Sequence, residues 1–135
     1  MNNPGYKSLG VFDITITETI VGDWIENLEG MISALVGIRF IYGSSGTSVK
    51  AYLQTTSDDG STACDIACVV FDTVSEHKLL NFTAAPKLTQ VTPTDKALAD
   101  DTAVDGILGN KFRLAVVVVG TYAGSTQVVA GINAR

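Results

Sequence analysis

From residue 11 the chain begins to alternate: Phe12, Ile14 and Ile16 fall between Asp13, Thr15 and Thr17, the two-residue period of a strand with one face in a core. Residues 31–42 set Ile32, Ala34, Val36, Ile38, Phe40 and Tyr42 on one side. The other side holds Ser33, Gly37 and Arg39, but also Met31, Leu35 and Ile41. A segment apolar on both sides predicts a central strand, or one whose second face another surface covers. The same period predicts strands over 49–54, 62–71, 75–82, 112–119 and 126–134. In 62–71, Cys64, Ile66, Cys68 and Val70 share the predicted face. In 75–82, Lys78, Leu80 and Phe82 oppose His77, Leu79 and Asn81. Phe112, Leu114, Val116 and Val118 are backed by Ala115, Val117 and Val119, which places 112–119 inside a sheet.

Turns punctuate these runs. Gly43-Ser44-Ser45-Gly46 separates two strands. Ser57-Asp58-Asp59-Gly60 predicts a hairpin turn, where Asp can bond its own backbone and Gly can take positive φ. Two stretches lack periodicity. Residues 1–10 read as an N-terminal arm that a neighbour must hold. Residues 84–110 read as a long loop, with Pro86 and Pro93 against a central strand and a short helical turn over 94–99 capped by Thr94. The remainder, 11–135, is expected to be one domain. Seven or eight mainly antiparallel strands joined by Gly-rich turns point to an all-β fold, a β-sandwich or jelly roll.

Composition narrows the partners. Charged residues are only 17% of the chain against 46% hydrophobic, too sparse to clothe a monomer unless its 15 threonines and other small polar residues, or a partner, cover the rest. Fourteen acids against nine bases leave a net charge of −5, and no two basic residues are adjacent. A phosphate-gripping face needs several cations together, so no nucleic-acid partner is expected. No stretch nears the roughly 18 apolar residues of a membrane helix, and no secretory signal precedes the first strand, so neither a membrane nor an oxidising compartment is expected.

Catalytic chemistry finds little footing. His77 is the only histidine, no nucleophile elbow accompanies it, and Cys64 and Cys68 read as buried thiols: four strand residues span about 13 Å, too far for a disulfide. The acids Asp95, Asp100, Asp101 and Asp105 lack the ligand spacing of a calcium loop, so neither metal nor cofactor is expected. Ser57-Asp58-Asp59-Gly60-Ser61-Thr62 resembles the Asp-box hairpin of sialidase-type blades, one residue short before Gly60 and with Ala63 in place of the aromatic. That box is a folding feature. Trp24, Tyr42, Tyr52 and Tyr122 are candidates for a carbohydrate-binding face or, more simply, for core anchors.

Three stretches carry a wider resemblance: residues 40–49 (Phe40-Ile41-Tyr42-Gly43-Ser44-Ser45-Gly46-Thr47-Ser48-Val49), the hairpin 54–62, and the tail from Asp95 through Asp105-Gly106-Ile107-Leu108-Gly109 to Gly120-Thr121-Tyr122-Ala123-Gly124-Ser125-Thr126. Together they resemble small proteins encoded among the virion genes of tailed bacteriophages, over about the last hundred residues. The resemblance implies a non-enzymatic structural protein, foremost a capsid cement or decoration protein. Such a protein binds the major capsid protein on the capsid exterior as a dimer or trimer, after synthesis in the host bacterial cytoplasm. A tail, neck or baseplate component and a carbohydrate-binding head-fibre module are the alternatives. The capsid contact is expected on the arm and long loop and on the second face of 31–42, through Pro4, Tyr6, Lys7, Leu35, Ile41, Pro86, Leu88, Pro93, Leu98 and Leu108.

Overall fold

A computed structural model describes residues 5–28, 30–84, 90–104 and 106–135. Its strands are β1 (Gly5–Asp13), β2 (Glu18–Val21), β3 (Ser33–Ile41), β4 (Ser44–Ser45), β5 (Ser48–Thr55), β6 (Cys64–Phe71), β7 (Glu76–Thr83), β8 (Thr102–Ala103), β9 (Phe112–Val119), β10 (Tyr122–Ala123) and β11 (Gln127–Ala134). The all-β expectation holds. The described residues form eleven strands rather than seven or eight, because the two-residue pairs β4, β8 and β10 and the four-residue β2 are too short to display a period.

One sheet runs β1-β11-β3-β7, a second runs β2-β9-β5-β6-β8, and β10 pairs with β4. Every pairing is antiparallel. Neither large sheet closes on itself. Strands β3 and β9, apolar on both faces, are internal in their sheets. Val36, Ile38 and Phe40 of the first sheet share one hydrophobic cluster with Leu53, Ile66, Phe71 and Leu114 of the second. Where they meet, the Phe40 and Phe71 rings stack with centroids 5.1 Å apart and 15° between planes. The accessible surface of 6780 Å² matches the roughly 6,800 Å² that area scaling gives a folded monomer of this mass.

Two bulges account for most departures from the expected pattern. In β1 the register with β11 shifts between Ser8 and Gly10, so the buried residues are Leu9 and then Phe12, three apart. That shift erases the two-residue period over 5–10. Those residues are therefore an edge strand on β11, not an arm awaiting a neighbour, while Ile16 lies beyond the strand and is exposed. In β6 the register with β5 shifts between the Leu53–Ala67 and Gln54–Asp65 pairs. Ile66 and Ala67 thus both face the shared core, and the residues after them change sides. Cys64 stays in that core, whereas Cys68 and Val70 turn to the opposite face beside Tyr52 and Ala115. The single face expected for Cys64, Ile66, Cys68 and Val70 does not form.

The described part of the long loop around Leu98 lies over this second face. Leu98 packs against the Tyr52, Cys68 and Ala115 cluster. No helical turn forms over 94–99; instead the buried carboxylate of Asp65 accepts hydrogen bonds from the backbone N–H groups of Lys96 (3.0 Å), Ala97 (2.9 Å) and Leu98 (3.2 Å) and from the Thr94 hydroxyl (3.0 Å). These side-chain bonds replace the helical ones that Thr94 was expected to start.

Candidate functional site

The outer face of the first sheet carries several exposed apolar side chains among the described residues. Register sets its rows. Tyr6, Asn133, Leu35 and Asn81 lie across the four strands, then Ser8, Gly131, Gly37 and Leu79, then Val11, Val129, Arg39 and His77. Asp13, Gln127 and Ile41 close the end. Tyr6, Val11, Ile41 and Leu79 are exposed by 64%, 60%, 40% and 61%, so four large apolar side chains stand in solvent on one sheet face.

The glycine row makes this face concave. A Cβ on Gly131 would overlap the Tyr6 ring, and one on Gly37 would sit 3.2 Å from His77 Nε2 and 3.4 Å from Leu79 Cδ2. Tyr6 therefore leans over one glycine and His77 with Leu79 over the other. Between them opens a hollow of about 450 Å³ lined also by Leu35, Arg39, Ile41, Val129 and Asn133.

Arg39 is the charge at the centre of this face. It has no ion-pair partner among the described residues. By contrast Lys50 pairs with Asp100 (2.8 Å), Lys78 with Asp101 (3.2 Å), Lys96 with Asp95 (2.6 Å) and Lys111 with Asp59 (2.8 Å). Asp13, the acid on the same face, stands at the far corner, its Oδ1 accepting from Gln127 Nε2 at 3.0 Å.

The expected contact residues divide. Tyr6, Leu35 and Ile41 converge on the hollow. Lys7 is half-buried on β1, opposite Ile132. Pro93 and Leu108 line a different hollow of about 440 Å³, with Thr55, Cys64, Val91 and Ile107. Leu98 is spent on the second sheet, as above, and Leu108 also packs on the main core. Pro4, Pro86 and Leu88 lie outside the described residues. Missing from the expected set were Arg39, His77, Leu79 and Val129. The alternation of 75–82 already put His77 and Leu79 on one side, and the signal lacking was which strands are neighbours.

The other candidates resolve into folding roles. Tyr122 is buried, and its hydroxyl donates to the Asp72 carbonyl at 2.7 Å; its ring meets those of Phe40 and Tyr42 edge to face. Tyr52 is buried, and the Arg113 guanidinium lies 4.4 Å from the Trp24 ring centroid. His77 sits on the first sheet and both cysteines on the second, so no Cys-His pair is assembled. Burial pushes both thiols up from their ordinary pKa, away from a reactive thiolate. In the hairpin, Asp58 Oδ1 accepts from the Thr62 N–H at 2.7 Å and the Thr56 hydroxyl at 2.9 Å, while Asp59 and Gly60 take positive φ. Hydrogen bonding from Thr62 holds the Asp58 carboxyl below its usual range. Asp95, Asp100 and Asp101 are each tied to a separate lysine, Asp105 lies outside the described residues, and among the described residues no three His, Cys, Asp or Glu side chains gather as a metal site.

No family model and no curated protein matches the chain.

Proposed function

We propose that this chain is a non-enzymatic structural protein of a tailed-phage virion, foremost a cement or decoration protein that binds neighbouring major capsid subunits from outside the shell. The observation that carries the reading is the open face around Arg39, with Tyr6, Val11, Ile41 and Leu79 exposed on an otherwise well-cored body. Surfaces of that kind mark binding sites, and a shell that repeats each contact many times makes modest single-site affinity sufficient. The resemblance of 40–49, 54–62 and 95–126 to phage virion proteins supplies the setting. For the architecture we infer a two-layer sandwich, supported by the ring stack of Phe40 on Phe71 between the sheets. A dimer or trimer on the shell fits the same reading.

Electron microscopy of particles carrying the protein tests it. Copies repeated over the shell are expected; six or twelve copies at one vertex would assign the chain to neck or tail, and absence from the particle would end the virion reading. A carbohydrate-binding module fits less well, because Tyr52 and Tyr122 are buried and Trp24 is stacked by Arg113.

A further inference from the structure

We propose that the hollow between Tyr6 and His77 seats an extended segment of a partner protein in which an Asp or Glu is flanked by apolar side chains, its carboxylate held by Arg39. The inference rests on the reading of the chain as a binding protein and names the chemistry its open face selects.

Charge carries the argument. The chain has a net charge of −5, and four of its lysines are matched by acids within 4 Å. Arg113 donates through Nε to Gln54 Oε1 at 2.8 Å and covers Trp24. Arg39 has no ion-pair partner among the described residues and stands in the middle of an apolar face, with His77 as its cross-strand partner. A planar guanidinium presents a fork that fits a carboxylate, and a partner seated on the apolar side chains around the exposed Arg39 excludes water and strengthens the attraction. A lone arginine is too little for a phosphate backbone.

A second copy of this chain fits poorly. Stacking the face on itself with the two-fold axis through its centre brings two Arg39 side chains together, while Asp13 remains at the corner with Gln127. Tyr6, seated over Gly131, and His77 with Leu79, seated over Gly37, wall the hollow on its two sides; Leu35 and Ile41 on one strand and Val129 on the next offer apolar contacts on either side of the cation.

Amide NMR on the isolated, isotopically labelled full chain tests this. The probe is a capped pentapeptide with glutamate at its centre between leucine and valine; the control carries lysine in place of the glutamate. Saturable shifts are expected at Gly37, Arg39, His77, Leu79 and Gly131, with affinity about tenfold weaker for the lysine peptide and for Arg39→Glu. Tyr6→Ala, which leaves the charge intact, should weaken both peptides alike while other amides keep their positions. Equal affinity for the two peptides, shifts elsewhere, or no shift at millimolar probe would overturn the assignment. A silent titration with the protein still present on particles removes this face and leaves the virion reading standing; a positive titration with the protein absent from particles does the reverse.

Discussion

The backbone N–H of Ala97 donates to Oδ2 of Asp65 at 2.9 Å, fastening the loop to the start of β6. Asp65 Oδ1 also accepts from Gln54 Nε2 at 2.8 Å, and Gln54 Oε1 accepts from Arg113 Nε. A buried carboxylate is costly unless its lone pairs are used, and here the loop's own backbone uses them. Asp65→Ala strands several donors at once and is expected to destabilise the fold by about 3 kcal/mol. Asp65→Asn keeps a carbonyl oxygen and should cost less. Urea unfolding of the two variants checks the order.

The same fastening guards Cys68. Leu98, carried by the loop, packs over Cys68 and Tyr52, so neither cysteine of the native protein should react quickly with a disulfide reagent. Truncating this half-buried leucine removes about 1.4 kcal/mol of apolar contact. Leu98→Ala is thus expected to speed Cys68 modification about tenfold through local opening of the loop, with Cys64 unaffected in the main core. Thiol-reactivity kinetics followed by peptide mapping separates the two sites.

How far the sequence reaches is visible at these two cysteines. The positions of β3, β5, β6, β7, β9 and β11, the internal place of β3 and β9, and the facing of His77 with Leu79 all follow from alternation. The side on which Cys68 lies does not, since one extra residue at the Ile66–Ala67 bulge inverts every position after it. The bulge at Ser8–Gly10 likewise hid the strand at 5–10. For the interaction face, Tyr6, Leu35 and Ile41 could be named from apolar excess alone, but gathering them with Arg39 and Val129 needed the order β1-β11-β3-β7. That order depends on pairing between distant segments, which local pattern does not encode. Asp65 could not be identified either, because its partners lie about thirty residues away.

Phe40 and Phe71 join the two sheets at a fully buried stack. Phe40→Ala opens a cavity bounded by rigid strands on both sides, where collapse is difficult, and about 4 kcal/mol of stability is expected to go. Phe40→Leu should recover more than half of it. Calorimetry of the two variants is the measurement, and similar losses for both would mean that the ring's stacking, not the filled volume, matters there.

Alkali should reach the fold through Tyr122. Burial, with the nearby Asp72 and Tyr42 adding to it, pushes its phenol up from 10.0 to about 12. The unfolded chain therefore releases this proton first as pH rises, and the native state binds more protons between those values. Stability is then fully present below pH 10 and falls as pH climbs toward about 12, by roughly 2 to 3 kcal/mol for this one group. Tyr52, raised chiefly by burial, adds a slope of the same sign. Tyr122→Phe gives up the bond to the Asp72 carbonyl, costing about 1 kcal/mol at neutral pH, but it has no proton to lose. Its denaturant midpoint should consequently decline less between pH 10 and 12 than that of the parent, so the two curves converge and then cross in alkali. Curves that stay parallel would show that Tyr122 ionises in the native state without disturbing it.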